Sequence, residues 1–442
     1  MSTFWRTILA EWEQKTLPEI YPREEEISVS GFGQLKKVLV ITGFRRTGKT
    51  YLVLSAISKL LQKYSPKDIF YLNFEDERIP GVTQTLTDLL PAFQAFFGQK
   101  PKFLFLDEVQ NVPLWSKYIR RILDKENMQI FLTGSSSKMS SFEMPTELRG
   151  RSLEQKVSPL NFREFLIFKK ETLDKEKLSF YPEEKARFDF LFNEYLTFGG
   201  LPEIVRARGE DKTNILQEYF RTVIRREIME RFGLKNEEPL KTVAKLLLNS
   251  TYFSLSKIHR DLVSQGVKIG KNTVNNYFSY LSSSYLFAPI PHFSFSLRHQ
   301  MTRPQKAFFA DNGFITTLST KFSQNTGRLV ENLVAWHLRA KDKEIYYFQN
   351  ERKTDEVDFV VLKNGQPEEL IQVCFDLTER ETQKREFGAL LRTGKKLHCG
   401  NLKIVTASQQ EKISFPAPIK AVSLADFFLF DYNILVGNFG KI

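Results

Sequence analysis

The run Gly43-Phe44-Arg45-Arg46-Thr47-Gly48-Lys49-Thr50 constrains this chain more than any other feature. It fits G-x-x-x-x-G-K-[ST] in full. It also stands between an apolar β-rich run, Lys36 to Thr42, and a segment of helical spacing, Gly48 to Leu61. The glycines let the backbone curl until its N–H groups point at phosphate oxygens, and the helix N-terminus behind them adds positive dipole. Phe44, Arg45, Arg46 and Thr47 supply the middle of that cradle. Lys49 is placed to neutralise β/γ-phosphate charge, and the Thr50 hydroxyl to coordinate Mg²⁺.

The sequence around the loop alternates strand and helix. Strands are expected at Asp68 to Phe74, Lys102 to Leu106, Gln129 to Thr133 and Ser152 to Val157. Helices are expected at Thr83 to Phe97, Pro113 to Asp124 and about Ser137 to Leu148. That alternation predicts a parallel sheet covered by helices on both faces. The strand FLFL ends in Asp107 and Glu108. At the carboxyl end of a buried parallel strand the pair faces the nucleotide crevice. Asp107 then serves the Mg²⁺ shell, and Glu108 orients and deprotonates the attacking water. The intervening strand Asp68 to Phe74 fits the class with a strand inserted between the two motifs. The next strand ends in Thr133-Gly134-Ser135-Ser136, where Ser135, with Thr133 second, could sense the γ-phosphate; a simple turn is the competing reading. Arg149 and Arg151 are candidates to reach a neighbouring subunit's nucleotide, or are merely cations at a helix end.

Composition narrows the class. The chain has 442 residues, 42% hydrophobic and 26% charged, as in ordinary globular proteins. Apolar runs are far too short for a membrane span. The first residues carry Arg6, Glu11 and Glu13 and do not read as a signal peptide. Two cysteines, Cys374 and Cys399, rule out a disulfide framework and suit a reducing cytoplasm. The five histidines have no zinc-ligand spacing. The net charge of +12 favours a polyanionic partner.

Five segments are expected: a lead-in (1–35), the P-loop core (36–160), a helical lid (161–233), a basic module (234–310) and an α/β tail (311–442). Residues 235–306 carry ten Lys and Arg against Glu237, Glu238 and Asp261. Ser254 to Val263 and Lys271 to Ser282 read as two helices joined by a Gly-containing turn. A stripe of Val274, Phe278 and Leu281 would be buried, with Lys271, Asn272, Asn275 and Asn276 outward. That is how a recognition helix presents groups to base edges. The aromatic stretch Leu286 to Leu297 reads as a hairpin, a candidate wing. A solvated basic face, or a winged helix used for protein contacts, is the alternative.

GFRRTGKT, YLNFED, FLFLDEVQNVPLW, IFLTGSSS, LRGRS, SPLNFREFL and YLTFGGLPEIV, in this order, resemble a group of bacterial and archaeal AAA+ ATPases. GRLVENLVAWHL, DEVDFVV and LIQVCFDL extend the resemblance to the tail. It implies ATP and Mg²⁺ as cofactors, with Lys49 and Thr50 in the first nucleotide motif, Asp107 and Glu108 in the second, and Ser135 as first sensor. It implies a homo-oligomer, with a hexameric ring among the forms. Gly200-Leu201-Pro202 resembles the lid turn that packs near the nucleotide in related signal-transduction ATPases, or is only a helix-terminating turn.

The tail resembles the PD-(D/E)XK nuclease layout, with Glu331 on a helix, Asp358 on a strand and Gln372 on another. The expected Glu is Gln372 and the expected Lys is Cys374, so the layout is expected without cleavage. The whole reads as an α/β protein: a P-loop NTPase (AAA+) core with helical lid, winged-helix-like module and small nuclease-like domain. Its expected activity is Mg-ATP hydrolysis coupled to binding, and remodelling of or translocation on, duplex or branched DNA. A nucleotide-controlled signalling switch that binds proteins, and an ATP-regulated nuclease, are the alternatives.

Overall fold

The computed structural model describes residues 2–29, 35–134, 139, 146–319, 326–408 and 412–430. The chain divides into two compact units, Met1–Pro159 with Ser283–Tyr285, and Leu160–Ser282 with Leu286–Ile442.

In the first unit, β1 (Val38–Thr42), β2 (Ile69–Asn73), β3 (Phe103–Asp107), β4 (Gln129–Thr133) and β5 (Ser152–Lys156) form one sheet, ordered β2-β3-β4-β1-β5. All of its pairings are parallel. Strands β1 to β4 read as near-continuous apolar runs because both faces are covered. Helices α2 (Lys49–Leu61), α3 (Thr83–Phe97) and α4 (Trp115–Lys125) follow β1, β2 and β3. The order places β4 between β1 and β3, so the loop after β1 and the acids after β3 flank the end of β4. The stretch read as a lead-in is part of this core. Helix α1 (Thr3–Glu13) buries Trp5, Ile8, Leu9 and Trp12, and the Trp12 indole N–H donates to the Ile69 carbonyl at 2.8 Å. The helix expected near 137–148 falls mostly outside the described residues; a single 3₁₀ turn covers Thr146–Leu148.

The second unit opens with α5 (Phe162–Lys169), α6 (Lys175–Phe180), α7 (Pro182–Phe198), α8 (Pro202–Arg206) and α9 (Asp211–Thr222), and α9 runs on as a π-helical stretch, Val223–Glu230. Then come α10 (Glu238–Leu248), the short β6 (Tyr252–Phe253), α11 (Leu255–Ser264) and α12 (Lys271–Ser283). They are followed by β7 (Phe287–Ile290), α13 (Leu297–Thr302) and β8 (Gln305–Phe309). The three strands pair antiparallel in the order β6-β8-β7. The hairpin is therefore Phe287–Phe309, longer than the sequence suggested. Its connecting segment is not free: the Phe293 N–H donates to the Tyr347 carbonyl (2.6 Å) and the Tyr347 N–H to the Pro291 carbonyl (3.1 Å).

After α14 (Asn312–Leu318) and α15 (Thr326–Ala340) comes a mixed sheet of β9 (Glu344–Gln349), β10 (Glu356–Lys363), β11 (Gln366–Val373), β12 (Leu402–Thr406) and β13 (Ile419–Ser423). Its order is β13-β12-β11-β10-β9. Helix α16 (Arg380–Lys396) joins β11 to β12, and α17 (Leu424–Leu429) ends the described chain. A buried apolar cluster including Val360, Leu370, Leu390 and Ile404 binds α16 to this sheet.

Candidate nucleotide site

The loop from Gly43 to Gly48 has the geometry its glycines predict. Gly43 has φ +143°, and a Cβ there would lie 2.3 Å from the Val157 carbonyl oxygen, so only glycine lets β1 turn this close to the chain after β5. Gly48 caps α2 in the left-handed region at φ 93°. Lys49 is buried, and its Nζ donates to the carbonyls of Gly43 (3.1 Å) and Phe44 (2.9 Å). The ammonium is thus held inside the curl. The Thr47 hydroxyl donates to the Phe44 carbonyl (2.9 Å), and Arg23, which sequence reasoning missed, donates to the Thr47 and Ser158 carbonyls at 2.9 Å each. Arg45 makes a long ion pair with Glu75, 3.8 Å, and Arg46 is exposed with φ 67°. Thr50 is half-buried on the first turn of α2.

The acids sit where β3 ends. Asp107 is 1% exposed, and its two oxygens accept from the Thr133 hydroxyl and from the Tyr71 hydroxyl, the latter at 3.0 Å. Burial, then Asp107, pushes the Tyr71 phenol far up, so it donates at every working pH. Glu108 leaves the strand with φ 54°, a left-handed conformation uncommon for a non-glycine residue. Its N–H donates to the Thr133 hydroxyl at 3.2 Å, and its carboxylate accepts from the Gln110 amide. Burial raises the Glu108 carboxyl above its ordinary value; Lys49 pulls it back, while Asp107 and Glu75 push it further up. A carboxyl lifted in this way is suited to taking a proton from water.

Thr133, the second choice for a sensor, thus ties the ends of β3 and β4 together. Ser135, the first choice, lies outside the described residues. Gln110 was not singled out, although it stands two residues beyond Glu108 in the same motif. The oxygen donors fit Mg²⁺, which keeps much of its water: the Thr50 hydroxyl is one, and the lone pairs Asp107 retains beyond Thr133 and Tyr71 are the other.

The remaining expected residues are dispersed. Arg149 is exposed, and Arg151 pairs with Asp124, which also binds Arg120 at 2.8 Å. Pro202 belongs to the second unit, where it opens α8. The turn before it is anchored by Asp311, which accepts the Gly200 N–H at 2.7 Å. Lys271, Asn272, Asn275 and Asn276 are all exposed on α12, whose buried stripe is Val274, Tyr277 and Leu281 rather than Phe278. The half-buried Phe278 packs on Phe253 and Phe287 instead. The basic excess of this region is partly internal, because Lys306 is buried against carboxylates and Lys241 pairs with Glu237.

Glu331 and Asp358 do come together in the second unit, through Lys306. Gln372 lies beside Asp358: its Oε1 accepts the Asp358 N–H (3.2 Å) and its amide donates to Glu386 (2.7 Å). Burial pushes the Cys374 thiol up to about 12, so it is not a nucleophile at neutral pH. Among the described residues no group of three His, Cys, Asp or Glu side chains is arranged to hold a metal, and no helix is long and apolar enough to cross a membrane.

Comparison with known proteins agrees with the core. A family model described as an AAA domain matches residues 35–166. Two described as domains of unknown function, DUF8612 and DUF4143, match residues 189–325 and 326–426. The uncharacterized protein MJ1544 of Methanocaldococcus jannaschii is 36% identical over 404 residues, covering 89% of this chain and 87% of its own. An uncharacterized protein of Haemophilus influenzae is 28% identical, covering 81% and 89%. Among solved structures, the Walker-type ATPase PABY2304 of Pyrococcus abyssi aligns with 69% of this chain and 99% of its own, at 15% identity and a TM-score of 0.43. AMPPCP-bound DnaA of Aquifex aeolicus aligns with 57% and 83%, at 18% identity and a TM-score of 0.24. The identity to the archaeal protein runs along nearly the whole of both chains, and the chain belongs to the same family, one of P-loop ATPases built on an AAA domain.

Proposed function

We propose that this protein hydrolyses Mg-ATP in the crevice between the Gly43–Thr50 loop and the Asp107–Glu108 pair, and couples hydrolysis to binding and remodelling duplex or branched DNA. One observation carries the first half: Lys49 held inside the loop on β1, with the acid pair two strands away and braced by Thr133 on the strand between. In this reading the backbone N–H groups of Phe44 to Gly48 take the β-phosphate, and Lys49 leaves its two carbonyl acceptors for phosphate oxygens. Thr50 and Asp107 hold Mg²⁺, which supplies charge neutralisation on the phosphates. Glu108 accepts the proton of the attacking water, and its upward-shifted carboxyl moves it toward working pH. Ser135 is the proposed sensor. Arg149 is proposed to reach the nucleotide of the next copy in a homo-oligomer, a six-membered ring being among its forms; Arg151 would first have to leave Asp124.

The second half rests on α10 to β8. A helix, a short strand, two helices and an antiparallel hairpin in this order support reading this region as winged-helix-like. We assign α12 as its recognition helix, with Lys271, Asn272, Asn275 and Asn276 toward DNA. Exposed Lys257, Arg260 and Lys268 on the neighbouring segment suit phosphates. The tail is assigned to the nuclease-like fold without cleavage. The protein is proposed to work in the cytoplasm.

The test is ATP turnover measured with no DNA and with single-stranded, duplex and forked DNA at two salt concentrations. DNA stimulation that weakens steeply with salt supports the reading. Turnover unaffected by every DNA removes its second half, and normal turnover by Glu108→Gln removes its first.

A further inference from the structure

The second unit holds a buried charge cluster that lies far from the nucleotide loop in sequence and whose key cation no motif marks. Lys306 on β8 is 1% exposed. Its Nζ stands 2.7 Å from Glu331 Oε1 on α15, and 2.9 Å from Asp358 Oδ1 and 3.0 Å from Glu356 Oε1 on β10. The rings of Tyr252 and Tyr347 flank it at 5.3 and 5.6 Å. The other contacts are filled too. Asp358 Oδ2 accepts the Val373 N–H (2.9 Å), Glu356 Oε2 accepts from Gln349 (3.2 Å), and the Tyr252 hydroxyl donates to Glu356.

Burial alone would drive the Lys306 ammonium toward neutrality, but Asp358, Glu331 and Glu356 hold it well above its ordinary range. Glu331, the acid from the helix, is pushed up by burial to about 7, against the pull of Lys306. Three carboxylates therefore share one cation. A buried lysine among acids from another element is expensive to desolvate, and removing it would strand the acids. The acids of α15 and β10 meet at the Lys306 ammonium, which occupies the point they share.

We propose that Lys306 is a tethered cation: it fills this carboxylate cluster in place of a divalent metal, closing the C-terminal sheet to metal while fastening the β7–β8 hairpin to it. The Pro291–Phe293 backbone bonds to Tyr347 clamp one end of the hairpin connection, and Lys306 clamps the other. This inference depends on neither ATP hydrolysis nor DNA binding. It accounts for a nuclease-like pair, Glu331 and Asp358, that is present and unusable.

The experiment titrates Mn²⁺ into the nucleotide-free full chain. The wild type shows no Asp358-dependent Mn²⁺ binding, Lys306→Ala gains one equivalent, and Lys306→Ala/Asp358→Asn loses it. Wild-type binding that disappears in Asp358→Asn overturns the proposal, and so does a folded Lys306→Ala that takes no Mn²⁺. Lys306→Met keeps the stem and tests the fastening. Its Tm should fall below wild type, because three buried carboxylates are left without the cation they share. A Lys306→Met protein melting with the wild type refutes the clasp.

Discussion

Thr133→Val is the sharpest probe of the acid pair. It keeps the volume of a side chain 1% exposed and removes a hydroxyl that donates to Asp107 and accepts from the Glu108 N–H. A hydrogen bond to a charged group is worth about 1.5–3 kcal/mol and a neutral one about 0.5–1.5, so the loss should be about 2–4.5 kcal/mol. For a unit of this size each kcal/mol moves Tm by about 2–4 °C, giving a fall on the order of 10 °C. Thr133→Ser keeps the hydroxyl and should melt close to wild type. The catalytic effect follows from the same geometry. With Thr133 gone, Glu108 loses the partner that fixes its left-handed backbone, and a displacement on the order of 1 Å at a reacting group can lower turnover ~100-fold. KM for ATP should change little, because Lys49 and the loop are untouched. Melting curves and steady-state hydrolysis of the two variants check this together. If Thr133→Val melts and turns over like Thr133→Ser, the hydroxyl is not the brace described here.

Four further outcomes are expected. Lys49→Ala should abolish tight ATP binding in a calorimetric titration while the fold, followed by circular dichroism, persists. Gly43→Ala should do the same by a different route: its Cβ would stand 2.3 Å from a carbonyl oxygen, so the loop or the chain at Val157 must shift. Burial raises the Glu108 carboxyl and the base must be ionised, so kcat should fall as pH drops through a value above the ordinary glutamate range of about 4.3; a pH–rate profile with no acid limb above that range would contradict the role. Lys271→Ala with Asn275→Ala should weaken duplex binding at least tenfold, since a good base contact is worth about 1–3 kcal/mol, without altering DNA-free turnover.

The core of the first unit was legible because its signals are local. Strand and helix periods alternate, GFRRTGKT sits at a strand-to-helix turn, and Asp107 and Glu108 close an apolar strand; each is a pattern within about ten residues. The sheet order could be read only as far as the inserted strand, because pairing between β1 and β4 joins residues some 90 positions apart. The role of α1 was missed for a related reason. Its apolar stripe is plain, but what it covers is fixed by a Trp12 bond to Ile69 across the fold. Gln110 and Tyr71 escaped notice because a glutamine and a tyrosine near a motif carry no pattern until the backbone brings them to Glu108 and Asp107.

Lys306 shows why a charge count in sequence misleads. As one of ten cations between residues 235 and 306 it was reckoned part of a surface for DNA, yet it lies inside the protein. Its first partner, Glu331, stands 25 positions later, on an element with its own helical period. On β8 it follows Gln305 and precedes the buried Ala307, Phe308 and Phe309, a run that breaks the alternation of a half-solvated strand. That break is physical: β8 is the central strand of β6-β8-β7, and the acids of α15 and β10 bury the face that would otherwise meet water. A lysine at the head of an unbroken apolar run is therefore the signal that was available. It marks a cation whose partners lie on another element, where a solvated lysine would have alternated with buried neighbours.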